Sequence, residues 1–133
     1  MITAVDTNIL IDIFNNDPTF GSVSAEALRK CVSDGSVVIC DIVLAESATM
    51  FVNQQAFDKV IGLLPITFSA TSRESALYAA NIWRQYRKKG GSRKRLVADF
   101  LVAAHAICQC DQLLSRDRGF YRKYYKKLKL VEP

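Results

Sequence analysis

One histidine among 133 residues, and four cysteines with no CxxC spacing between them, leave little material for a zinc site. Cys31, Cys40, Cys108 and Cys110 each lie inside an apolar segment and read as reduced thiols of the core. Cys108 and Cys110 are two apart on an expected helix, so they point in different directions and cannot chelate together. No apolar stretch approaches the roughly 20 residues that a bilayer span requires. The N-terminus carries Asp6 and Asp12 where a signal peptide needs a basic start and an unbroken apolar run. We therefore expect a soluble, cytoplasmic protein that is not held in a membrane. Repeats, low-complexity tracts and linkers are also lacking, and half of the residues are hydrophobic, enough to build one core. A single domain over residues 1–133 is the expectation.

Acid is scarce in the second part of the chain. Residues 1–83 hold 4 Lys+Arg and 9 Asp+Glu, a net of −5, whereas residues 84–133 hold 14 and 4, a net of +10. A basic half combined with a few acids at strand ends suits a polyanion that meets a cation-binding centre, although a solvated Lys/Arg face would give the same count.

Short apolar runs alternate with helical periodicity along the whole chain. Ile2–Val5 reads as a buried strand that ends in Asp6-Thr7-Asn8, followed by a helix from about Asn8 to the breakers Asn15-Asn16-Asp17-Pro18. A helix over 19–34, a strand over 37–40 and a helix over 41–52 with Asp41 as its N-cap come next. Then follow a helix over 54–64, a strand over 65–68, a long helix over 72–89, a small-residue-rich helix over 98–110, and strands over 112–115 and 126–131. This alternation predicts an α/β domain of three layers, α/β/α, around a mainly parallel, roughly five-stranded sheet.

Four acids share one position in that scheme. Asp6 and Asp117 follow strand ends, and Glu46 and Asp99 lie near the starts of helices that follow strands or loops. In a doubly wound sheet such places converge on one edge. Taken singly, each Asp is explained as a cap or a turn residue. Taken together they repel one another and call for a cation, and oxygen-only ligation points to Mg²⁺ or Mn²⁺.

The stretches Val5-Asp6-Thr7-Asn8-Ile9-Leu10, Ala45-Glu46, Ala98-Asp99-Phe100-Leu101-Val102-Ala103-Ala104-His105-Ala106 and Leu114-Ser115-Arg116-Asp117 resemble the PIN-domain ribonucleases, most nearly the small VapC-type toxins. Each motif is weak alone, but four in register over essentially the whole chain make a specific signal. The resemblance implies an endoribonuclease in which Asp6, Glu46, Asp99 and Asp117 hold one or two Mg²⁺ or Mn²⁺ ions, with Thr7, Asn8 and Ser115 in support. Ser115 stands where the family often has Thr. The resemblance also implies hydrolysis to 5′-phosphate and 3′-hydroxyl ends, a homodimer, and inhibition by a small antitoxin. A housekeeping RNA-processing nuclease and a non-cleaving nucleic-acid-binding module are the alternative readings.

RNA contacts are expected from Arg93, Lys94 and Arg95 just before Asp99, and from Arg116 and Arg118 beside Asp117. Phe120, Tyr121, Tyr124 and Tyr125 are interleaved with these cations as either base-stacking surfaces or core anchors. His105 lies nearly two turns beyond Asp99 and reads as a packed or surface helix residue, not a general base.

Overall fold

The computed structural model describes residues 1–91 and 97–133, with the side chain of Arg118 excepted. In chain order the elements are β1 (Ile2–Val5), α1 (Thr7–Phe14), α2 (Gly21–Asp34), β2 (Ser36–Ile39), α3 (Asp41–Ala48), α4 (Gln54–Ile61), β3 (Ile66–Phe68), α5 (Arg73–Lys88), α6 (Val97–Gln109), β4 (Gln112–Leu114), α7 (Arg118–Tyr124) and β5 (Leu130–Val131). The five strands form one sheet in the order β3-β2-β1-β4-β5, and every pairing is parallel. The sheet grows from β1 outward to β2 and β3 on one side, then returns to place β4 and β5 on the other. The strand order therefore reverses between β1 and β4, where a crevice opens beyond the strand ends.

The central strands are buried because their runs are mostly apolar and their two inner polar residues satisfy each other, Gln112 donating to the Thr3 hydroxyl at 2.8 Å. Ala4, Val5, Val37, Ile39, Leu113 and Leu114 are all buried. Register is set closely: Val5 lies opposite Leu114, and the Asp6 amide donates to the Leu114 carbonyl at 3.0 Å. Gly35 closes α2 where a side chain has no room, since an added Cβ would lie 2.1 Å from the Met1 carbonyl oxygen. That approach lets the Ser36 amide reach Met1 and start the β1–β2 ladder.

Several boundaries differ from expectation, and three of the differences have a clear local reason. Helix α3 stops at Ala48 instead of running to Val52. Ser47 and Thr49 turn their hydroxyls back onto the carbonyls of Val43 and Glu46, and Asn53 caps a new helix by accepting the Ala56 amide at 2.9 Å. Asp41 is not the cap of α3. Cys40 holds that position, and the Asp41 carboxylate accepts instead from the Thr71 amide and hydroxyl. The last strand contracts to Leu130–Val131, because Tyr125–Leu128 is folded into a turn after α7.

Helices α5, α6 and α7 meet over an aromatic cluster centred on Phe100, which lies against Trp83, Tyr86, Phe120 and Tyr125 at ring separations of 5.2 to 6.4 Å. The Tyr125 hydroxyl donates to the Phe100 carbonyl at 3.0 Å. Burying Phe100 fixes the first turn of α6 and leaves its neighbour Asp99 at the rim. Further along α6, His105 is buried, with Nε2 3.0 Å from Ser69 Oγ and Nδ1 without a partner among the described residues. All four cysteines are free thiols, and no described helix is long and apolar enough to cross a membrane.

Burial holds the His105 imidazole below its ordinary value near 6.5, against the opposing influence of Asp41 and Ser69. The unfolded chain therefore takes up this proton first as pH falls. The stability that neutral His105 contributes is complete above about pH 6.5 and is lost as pH drops through its folded value. Urea unfolding at pH 7 and pH 5 should show a smaller acid-induced loss in His105→Gln than in wild type. Equal losses would contradict the assignment.

Candidate functional site

The crevice at the strand reversal is organised around the Asp6 carboxylate. Asp6 caps α1 by accepting the Thr7 amide on Oδ1 at 2.8 Å. Its Oδ2 accepts from Ser115 Oγ at 2.8 Å, from Tyr121 OH at 2.8 Å and from Asn8 Nδ2 at 3.4 Å. Ser115 is the hub of the β4 side. While donating to Asp6, it accepts from Asn8 Nδ2 at 3.2 Å and from the Asp117 amide at 3.0 Å. Asn8 Oδ1 accepts the Arg116 amide at 3.2 Å. Thr7 points the other way and donates its hydroxyl to Glu46 Oε1 at 2.8 Å. Cap, strand end and following loop are thus bonded into one unit by Thr7, Asn8 and Ser115.

Burial pushes the Asp6 carboxyl above its ordinary range in spite of the hydrogen bonds from Ser115, Tyr121 and Thr7, and the Asp117 carboxylate pushes in the same direction. Tyr121 is driven up by burial and then by Asp6, Asp99 and Asp117 together. One phenol therefore feels three of the four acids named above. Glu46, exposed on α3, joins them through Thr7. As the side chains stand, no three His, Cys, Asp or Glu residues among those described form a ready metal cage.

The chemistry of the donors nevertheless suits a hard cation. All are oxygens, and Asp6 is a buried carboxylate under repulsion from Asp117. The lone pairs of Oδ2 are taken by three donors, whereas Oδ1 accepts one bond and retains one lone pair.

Tyr121 was expected only as one of several aromatics beside the basic run, and its bond to Asp6 has no signal in the sequence. Partners of a ligating carboxylate orient it, and losing one costs about tenfold or more in metal affinity. Tyr121→Phe should weaken Mn²⁺ binding, followed by calorimetry, by about that factor while preserving the ring in the core. An unchanged affinity would make the hydroxyl a packing detail.

Arg116, expected to face RNA, is turned inward. Its Nε and one terminal nitrogen donate to the two oxygens of Asp12 at 2.7 and 2.9 Å, and its guanidinium lies 3.9 Å from the centre of the Phe20 ring. Asp12 is buried and also accepts from Ser24 at 2.7 Å. The expectations placed on Arg93, Lys94, Arg95 and the Arg118 side chain lie outside the described residues. Of the aromatics near Asp117, Phe120, Tyr121 and Tyr125 are buried and Tyr124 is half-buried.

Among solved structures, the fold is similar to VapBC2 from Rickettsia felis bound to a DNA fragment from their promoter. The TM-score is 0.79 at 21% identity, covering 100% of this chain and 99% of that one. It is also similar to VapBC-1 from nontypeable Haemophilus influenzae, with a TM-score of 0.75 at 20% identity, covering 99% and 98%. For FitAcB from Neisseria gonorrhoeae the TM-score is 0.66 at 18% identity, covering 98% and 96%. No curated protein sequence matches the chain. The family model of the PIN domain matches residues 3–126, and with the five-stranded parallel sheet this means that the chain belongs to the PIN domain family.

Proposed function

We propose that the chain is a divalent-metal-dependent endoribonuclease that acts as the toxin of a toxin–antitoxin pair. The observation that carries this reading is the buried Asp6 carboxylate at the strand reversal, held by Ser115, Tyr121 and Asn8, with Ser115 fixing the Asp117 amide and Glu46 one hydroxyl away through Thr7. The likeness of the fold to the toxin chains of VapBC complexes supports the toxin role. The partners that accompany it are an RNA substrate, a small antitoxin protein and a second copy of the chain, in the cytoplasm.

In this reading Asp6, Glu46, Asp99 and Asp117 hold Mg²⁺ or Mn²⁺. A cation there lowers the pKa of water and offsets charge on the scissile phosphate. The chain's own residues supply position. Ser115, Tyr121 and Asn8 lock Oδ2 of Asp6 and leave Oδ1 with one lone pair beyond the Thr7 amide, and the Thr7 hydroxyl holds Glu46. Ser115 fixes the backbone of Asp117 through its amide. In-line hydrolysis leaves a 5′-phosphate and a 3′-hydroxyl and does not require the 2′-hydroxyl.

The test is cleavage of single-stranded RNA by the purified chain with Mn²⁺ and with chelator, with the ends of the products identified. Cleavage that survives chelation, or products with 2′,3′-cyclic phosphate ends, would remove the metal-hydrolysis reading.

A further inference from the structure

With Arg116 committed to Asp12, the cations that a polyanion can reach lie elsewhere. Two adjoining cavities of 270 and 420 Å³ run between the C-terminal half of α5 and helix α7, sharing Tyr86, Lys89, Lys123 and Tyr124 in their walls. The first continues to Lys126 and Lys127. The second reaches Gly119, two residues past Asp117. No carboxylate lines either cavity. All four lysines are exposed, and none pairs with an acid among the described residues.

We infer that this groove is a binding path for single-stranded RNA leading away from the acidic crevice. It rests on the nuclease reading for what lies at its inner end. Four unpaired ammonium groups in an acid-free trough attract phosphates over several ångströms and release counterions when occupied. Tyr124 selects for a single strand. Its ring is half-buried, packed T-shaped against Tyr86 at 4.9 Å and tilted against Phe120 at 5.5 Å, with Lys123 Nζ over the ring 5.4 Å from its centre, where a stacking base would displace the flexible ammonium. A braced aromatic loses little entropy when a base stacks on it, and only unpaired bases present a free face. A duplex would offer phosphates to the lysines and nothing to the ring.

The experiment uses the full chain carrying Asp6→Asn so that the RNA stays intact. Anisotropy of a fluorescein-labelled 12-residue oligouridylate is measured from 50 to 300 mM KCl. In the Lys89→Gln, Lys123→Gln, Lys126→Gln, Lys127→Gln quadruple variant, the slope of log K against log salt should fall by roughly 3, since each phosphate contact in a single strand contributes about 0.7. Tyr124→Leu should lower affinity about tenfold and leave the slope unchanged. Lys30→Gln with Lys59→Gln, on the α2 and α4 faces, should change neither.

A quadruple variant with the parental slope overturns the groove, and that result does not depend on whether Tyr124→Leu folds. Equal binding of an RNA duplex or of polyglutamate, with equal loss in the quadruple variant, also overturns it, in favour of a general anion or acidic-protein surface. The two readings fail separately. A wild type that does not cleave while these slopes hold removes only the nuclease; cleavage with unaltered slopes removes only the groove.

Discussion

Asp6→Asn should lower metal-dependent RNA cleavage on the order of a thousandfold and at the same time raise the melting temperature of the metal-free protein. The loss of activity follows from removing a charged ligand whose cation supplies several kcal/mol to the transition state. The gain in stability follows from the opposite electrostatics of the empty crevice. Burial and Asp117 hold the Asp6 carboxyl above its unfolded value. Between those two values the folded state binds the extra proton, so ionising this group at neutral pH costs folding free energy. Asn removes that cost, and with its amide oxygen turned to Ser115, Tyr121 and Asn8 it gives up only the bond from the Thr7 amide.

Mn²⁺ should reverse the ranking. At about a hundred times its Kd it adds about 2.7 kcal/mol to the wild type, because it binds only the assembled site. It should add little to Asp6→Asn. Thermal melts of both proteins, with and without Mn²⁺, decide the matter. If the variant melts lower and metal shifts neither protein, Asp6 is only the cap of α1.

Arg116→Ala should destabilise the fold by about 2 kcal/mol without altering the salt dependence of RNA binding. Breaking a fully buried ion pair by truncating one partner costs about 3–5 kcal/mol, because the other charge is left stranded. Here Asp12 is 2% exposed but Arg116 is 31% exposed, so water moderates the loss. Arg116→Lys should recover only part of it, since a single ammonium cannot span both Asp12 oxygens as the guanidinium does. Urea unfolding measures the first effect and anisotropy the second. An Arg116→Ala protein of wild-type stability with a salt slope reduced by about 0.7 would return Arg116 to the RNA surface.

Most of the architecture was legible because it is written in local pattern. Val37–Cys40 is a short apolar run between turn residues, and a fully buried parallel strand needs nothing else. Ser72 ahead of the amphipathic α5 reads as a cap, and its hydroxyl accepts the Ser75 amide at 3.1 Å. Boundaries failed where a polar side chain had two choices. Asp41 could cap its own helix or bond a residue 30 positions away, and Thr71 took it. Helix α7 was legible only as one of two readings, because Phe120, Tyr121 and Tyr124 recur at helical spacing but over so short a run serve equally as a stacking surface between cations. It is held by the Phe100 cluster, which only the packing of three helices creates.

By itself the sequence determined that strands alternate with helices and that Asp6 and Asp117 follow apolar runs, with Glu46 and Asp99 near helix starts. Those are properties of adjacent residues, and parallel topology then carries such positions to one edge. What only the tertiary structure decided is which polar groups spend their bonds on one another. Tyr121 reaches Asp6 across 115 residues, and Arg116 reaches Asp12 across 104. An arginine turned onto a buried acid and a solvated one are identical in sequence, as are a phenol that packs and one that orients a carboxylate. The difference lies in the β1–β4 register, which sets Val5 opposite Leu114 and thereby brings the loop after one strand against the helix after the other.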